Sequence, residues 1–176
     1  TLFFVYALWM IKGYTINCPE SNETILADMR EVGPTMFYGP PHFYKTVYSQ
    51  IQSRAESTKS SLLHGYMSSL KTKGRSWLGD KLVFNQIKDL YGISKIKYAY
   101  VGGDVLSEEV FKFYTALGIN LKATYGTAES AGCISVQDAQ DMSAEHAETM
   151  VGAPLLGVEV KVSDKEIFFK GSNAFK

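Results

Sequence analysis

The sequence predicts an α/β fold, a parallel sheet of alternating strands and helices followed by short antiparallel strands of a partial barrel or sheet. Three observations predict it. Helical and strand-like periods alternate as far as residue 132. Glycines stand where most of these segments end, at Gly13, Gly33, Gly39, Gly92, Gly102 and Gly118. Beyond Gly132 the helical period stops, and CISV, GVEVKV and EIFFKG follow as short strand-like runs. Residues 1–132 therefore read as an α/β portion and residues 133–176 as a short-strand portion.

The elements follow in order. Residues 2–12 read as a helix, buried because its run TLFFVYALWMI is apolar, with Trp9 as a packing anchor. That run is about half the ~20 residues a membrane-spanning helix needs. Residues 14–18, YTINC, read as a short strand. Ile25, Met29 and Val32 share a helical face, with Ser21 or Asn22 as N-cap and Gly33-Pro34 as the stop. Residues 35–38 form the next strand. Phe43, Val47, Ile51 and Ala55 then recur every fourth residue along a long helix, which frays towards Gly74. Residues 81–91 resume helically. Residues 95–101 alternate Ile96, Tyr98 and Tyr100 against lysines, as a strand does. Ser107 can cap a helix carrying Val110, Phe111, Tyr114 and Leu117, and Ile119, Leu121 and Ala123 form the strand after it.

Composition narrows the class. Hydrophobic residues make up 45% of the chain, enough for a core, and the formal net charge is zero. Whole-chain charge thus predicts no nucleic-acid partner. Two cysteines, Cys18 and Cys133, make no disulfide framework, so a reducing, cytoplasmic setting is the default. Residues 42–75 carry six Lys and Arg residues against Glu56 alone. Such an arm could approach anionic lipid as a peripheral contact, but a solvated helix face is the preferred reading. His64, His146 and Trp77 read as surface or packing residues. The chain opens without methionine and stops just after a glycine turn, Gly171-Ser172-Asn173, so a segment of a longer protein is expected.

In open parallel sheets, ligands bind beyond the carboxyl ends of the strands. Two loops leave strands there with unusual chemistry. Gly102-Gly103-Asp104 lets backbone approach a flat ligand and precedes a helix N-terminus, which favours negative charge. Ordinary turn chemistry explains the same glycines. In YGTAES, Tyr125 offers a ring for stacking, and Gly126 and Thr127 offer N–H groups and a hydroxyl to phosphate. Glu129 is a hard oxygen ligand of the kind Mg2+ shares with phosphate. A strand-end tyrosine and a solvated acid are the plain alternative.

YGTAES resembles the tyrosine-glycine-x-threonine-glutamate motif of the adenylate-forming (AMP-binding) enzymes. LADMREVGPTMFYGPPHFYKTVYSQI, KIKYAYVGGDVLSEEVFKFYTALGI and VGAPLLGVEVKVSDKEIFFKGSNAFK resemble three further segments of that family, in the style of long-chain fatty acid:CoA ligases. The resemblance implies activation of a carboxylic acid by ATP and Mg2+, with an acyl-adenylate then passed to coenzyme A. It implies that Tyr125 stacks on adenine and that Gly102, Gly103 and Asp104 line the adenine slot. It implies that Thr127 faces the α-phosphate, that Glu129 holds Mg2+, and that Gly126 borders the acyl pocket beside residues 131–134. The family's phosphate loop, ribose-binding aspartate and catalytic lysine match nothing in these 176 residues, so the segment alone is expected to turn nothing over.

Three positions depart from the family's pattern. His42 stands where an arginine is common. Ala128 stands where its phosphate-contacting threonine is expected, with Thr127 one place early. Lys165 stands where a turn glycine is expected, which is unfavourable if φ is positive there. Two other readings follow from the same resemblance: an enzyme that loads the acyl group onto a carrier protein, and a non-catalytic relative that binds nucleotide or acyl chains.

Overall fold

The computed structural model describes residues 8–57, 85–138 and 147–174. Helices α1 (Leu8–Lys12) and α2 (Ile25–Val32) precede strand β1 (Met36–Gly39) and the long helix α3 (Pro41–Ser57). A helical segment at 85–90 leads into β2 (Tyr98–Gly102), α4 (Glu108–Ala116) and β3 (Leu121–Tyr125). The short strands β4 (Ser135–Val136) and β5 (Ala153–Pro154) follow, then β6 (Glu159–Ser163) and β7 (Glu166–Lys170).

The first five strands form one sheet in the order β1-β2-β3-β4-β5, and β6 and β7 form a separate hairpin. β1, β2 and β3 run parallel because helical crossovers join them. β4 then pairs antiparallel with β3, and β5 with β4. The expected change to antiparallel pairing near residue 133 therefore happens inside the sheet, and only the last two strands leave it.

The core lies between this sheet and the helices α3 and α4. Phe43, Val47 and Ile51 are buried, as their four-residue spacing predicts, and so are Val110, Phe111, Tyr114 and Leu117. Tyr44 and Tyr114 meet edge to face at 5.2 Å, and Tyr48 and Phe113 at 4.9 Å. The buried phenols are bonded as burial demands. Tyr44 donates to Tyr100 O and Tyr114 to Tyr44 O. Tyr48 donates to Glu109 Oε1 at 2.6 Å, joining α3 to the first turn of α4.

Five expectations need correction. Residues 14–18 form no strand and pair with none of the described strands; an alternation so short needs a neighbouring edge. The apolar opening run does not bury its described part: Trp9, Met10 and Ile11 are 46%, 73% and 74% exposed. An apolar sequence predicts burial only where a second element faces it. The tyrosine phase of β2 is not the core phase. Ala99 and Val101 are buried against the helices, and Tyr98 is 56% exposed on the other face. Small side chains fit beneath α4, and the bulkier tyrosines mislead a pattern that counts hydrophobicity alone. Finally, Ser107 does sit at the N-cap of α4, but its hydroxyl makes no capping bond. The N-cap of α2 is likewise Thr24 and not Ser21 or Asn22, and its side chain makes no capping bond; the Ser21 hydroxyl accepts from the Glu23 and Thr24 N–H groups in the turn ahead of the helix.

Residues 81–84 of the expected helix, Trp77, His64, His146 and most of the basic stretch at 42–75 lie outside the described residues. Among the described residues no helix is long and apolar enough to cross a membrane.

Candidate functional site

β2 and β3 are adjacent, parallel and in register, with Gly102 opposite Thr124. Their carboxyl ends therefore open on one rim. The loop Gly102-Gly103-Asp104 and the loop Tyr125-Gly126-Thr127-Ala128-Glu129 leave from neighbouring positions on that rim. Alternation puts Tyr125 on the same sheet face as Leu121 and Ala123, the face that α4 covers.

The two glycines of the first loop differ. A Cβ on Gly102 would lie 2.5 Å from the Tyr38 hydroxyl and 2.6 Å from Thr124 Oγ1, so the protein's own packing requires glycine there. Gly103 has φ 96° and open space where its Cβ would be. Gly103 is the one that leaves room for a ligand. Asp104 is exposed, and its Oδ1 accepts the Val105 N–H at 2.8 Å. The N-terminus of α4 behind this loop is already complemented by its own acids. Glu109 accepts from Tyr48, and Glu108 pairs with Lys112. That helix end is therefore a poorer anion site than its sequence position suggests.

The second loop is braced on itself. Gly126 is required by this bracing, because a Cβ there would lie 2.4 Å from the Gly132 carbonyl. The Ile134 N–H donates to Tyr125 O at 2.7 Å, and the Gly132 N–H to Thr127 O at 2.9 Å. Ser130 closes the turn Ala128–Ser130, accepting from the Thr127 N–H and donating to Thr127 O. Ser130 is fully buried, and Glu129 is exposed beside it.

Glu129 has the electrostatics of a ready ligand. Its own backbone N–H, and then the nearby Thr127 hydroxyl, hold its carboxyl below the usual carboxylate range. Thr127 Oγ1 itself is buried. A buried oxygen is not presented to a ligand on the rim unless the side chain rotates. Ala128, where the family's hydroxyl is expected, is exposed. Cys133, behind the loop, is pushed up to about 11 by burial and is a packed thiol.

The donor set fits a nucleotide-borne cation. Among the described residues no cluster of three His, Cys, Asp or Glu side chains could hold a metal by itself. One exposed carboxylate beside open backbone suits Mg2+, which keeps several waters and shares ligands with phosphate.

Sequence reading missed Tyr38 and Thr124, which wall Gly102, and Asn173, whose amide reaches the second loop. Thr124 is next to the motif, but its burial depends on which face of β3 is covered. Asn173 carries no sequence signal, because its partners are Ser130 and Cys133, about 40 positions earlier.

The sequence pattern of the family described as "AMP-binding enzyme" matches residues 1–168. The chain is 29% identical over 173 residues to "Long chain acyl-CoA synthetase 6, peroxisomal" of Arabidopsis thaliana, covering 93% of this chain and 23% of that protein. It is 31% identical over 167 residues to "Long-chain-fatty-acid--CoA ligase 5" of Rattus norvegicus, covering 85% of this chain and 24% of that protein. It thus spans about a quarter of the length of these relatives. Its fold is similar to that of VinN in complex with L-aspartate, with a TM-score of 0.55 at 16% identity, covering 87% of this chain and 32% of that one. It is also similar to unliganded O-succinylbenzoate coenzyme A synthetase from Bacillus subtilis, with a TM-score of 0.50 at 15% identity, covering 88% and 26%. The chain belongs to the AMP-binding enzyme family.

Proposed function

We propose that this chain forms the adenine-facing rim of an ATP-dependent acid-activating enzyme, an acid:CoA ligase for long-chain fatty acids. One observation carries the reading: the Gly103 loop and the Tyr125–Glu129 loop leave adjacent parallel strands on one edge. The names of the two relatives supply the acid and the coenzyme A acceptor.

The chemistry requires a carboxylate oxygen to attack the α-phosphorus of ATP while the bond to pyrophosphate breaks. A thiol then attacks the acyl carbonyl and AMP leaves. Two anions meet in the first step, so positioning and charge neutralisation dominate the barrier. In this reading Tyr125 stacks on the adenine, Gly103 and Asp104 border it through backbone, and Gly126 borders the acyl chain beside residues 131–134. Mg2+, when bound, neutralises phosphate charge. Glu129 would hold it, as an exposed carboxylate whose pKa lies below the usual range.

The test is ATP–pyrophosphate exchange by the full-length protein with a panel of fatty acids, with and without coenzyme A. Glu129→Gln is expected to lower the rate about 100-fold, the scale of losing a group that orients a metal, with the unfolding midpoint unchanged because the side chain is exposed. A wild-type protein that exchanges no pyrophosphate with any acid would end the proposal. Thr127 Oγ1 is buried and Ala128 offers no hydroxyl, and this favours a second reading, a relative that binds nucleotide without turnover. ATP binding by calorimetry in the absence of exchange would select it. Acyl transfer to a carrier protein instead of coenzyme A is separated by the same assay.

A further inference from the structure

We propose that Asn173, just past the β6–β7 hairpin, is a positioning residue that holds the Tyr125–Glu129 loop in the shape the acid-activating reaction uses. The functional half of this inference rests on the reading above.

The amide nitrogen of Asn173 donates to Ser130 O at 3.1 Å and to Cys133 O at 2.8 Å. Both of its N–H bonds are thereby spent on one loop. The two carbonyls bracket Ala131 and Gly132, which have φ of 56° and 90°. Two consecutive residues with positive φ reverse the chain there. For Ala131 that conformation is unfavourable, so the reversal persists only if its surroundings over-determine it. Asn173 supplies two of those constraints from outside the loop.

The constraint reaches the carboxylate through short links. Ser130, whose carbonyl Asn173 holds, is bonded through its own hydroxyl to both the N–H and the carbonyl of Thr127. Glu129 lies between these two residues in a single turn. A shift of Ser130 therefore turns Glu129 on the rim. Asn173 is itself seated by a glycine. A Cβ on Gly171 would lie 2.6 Å from Asn173 Oδ1. That Oδ1 is buried with no hydrogen-bond partner, so the side chain is placed for its two donations and not for its oxygen. The same bonds are the described link from the hairpin end to the motif loop, so the hairpin's seating and the loop's geometry are coupled.

Asn173→Asp keeps size and shape but sets carboxylate oxygens against two carbonyls. Asn173→Ser removes both donations without adding charge, and serves if the aspartate variant fails to fold. In the full-length protein, the amides of Gly132 and Ile134 are expected to exchange hydrogen at least tenfold faster in either variant, with Ala99 and Leu121 unchanged. The Mg2+ concentration for half-maximal pyrophosphate exchange is expected to rise about tenfold, with KM for the fatty acid within twofold. Unchanged amide protection would overturn the clamp. A fall in kcat with an unchanged Mg2+ requirement would reduce Asn173 to a structural staple and overturn the positioning role. A wild-type protein without any pyrophosphate exchange overturns the functional reading instead, and the amide exchange still decides the clamp.

Discussion

The parallel sheet and the β6–β7 hairpin are both short-stranded, yet they are held in different ways. β2 lies between two parallel neighbours and beneath α4, with Ala99 and Val101 almost fully buried. In the hairpin Val162, Ile167 and Phe168 are 71%, 46% and 52% exposed among the described residues. A five-residue antiparallel ladder joins its strands, but an isolated two-stranded hairpin is at best marginally stable in water. The difference teaches where each region's order comes from. The sheet is ordered by burial, which is large and non-directional. The hairpin is ordered by its ladder, its turn and the Asn173 amide, which are small and directional.

The largest break in that comparison should come from matched truncations. Leu121→Ala, at a fully buried position, is expected to destabilise the fold by about 3 kcal/mol. Val162→Ala in the hairpin should stay within ~0.5 kcal/mol. Urea unfolding of both variants measures the gap. Equal losses would mean that the hairpin face is as well packed as the core.

Alkaline pH should separate the regions next. Burial raises the Tyr44 and Tyr114 phenols above their ordinary value, and burial with the Glu109 carboxylate pushes Tyr48 up to about 12 from 10.0. The sign follows from linkage. A phenol whose folded pKa lies above its unfolded value contributes stability that is complete below pH ~10 and is lost as pH climbs through the folded pKa. Stability is therefore expected to hold to pH 10 and to fall from pH 10 to 12 and beyond, read by unfolding midpoints at each pH. Tyr48→Phe should shrink the loss. A flat profile would show that these phenols are not buried in solution.

The smallest effect lies in the hairpin turn. Ser163 pairs with Glu166, leaving Asp164 and Lys165 with φ of 50° and 69°. A two-residue turn with both φ positive is the type that favours glycine at its second position. Lys165→Gly should gain about 0.5–1 kcal/mol, the relief of a left-handed lysine less the entropy of glycine. Faster amide exchange at Val162 and Ile167 in this variant would contradict it.

Much of the fold was legible because its signals are local. The spacing of Phe43, Val47 and Ile51 predicted α3, and Gly33 and Gly118 end their helices in the left-handed conformation expected of them. Lys165 was expected to strain its turn if φ were positive there, and φ is positive. The failures share a cause as well. YTINC has the alternation of a strand but no described partner strand, and Trp9 has the character of a core residue but no covering element among the described residues. Each needs a partner distant in sequence, and periodicity carries no information about partners.

The candidate site divides along the same line. The residues of the proposed site, Tyr125, Glu129, Gly102 and Gly103, stood out from the sequence because the residue type is the signal. The supports did not, since Tyr38, Thr124, Ser130 and Asn173 are ordinary residues whose roles depend on where the chain returns.

By itself, then, the sequence determined the alternation of helices and strands, the turns and the two chemically unusual loops, because backbone preference and apolar period act over a few residues. Only the tertiary structure decided which face of β2 is buried, that β4 joins the parallel sheet, and that an asparagine some 40 residues away holds the motif loop. Those outcomes depend on contacts between distant segments, and such contacts are chosen by the packing of the whole chain.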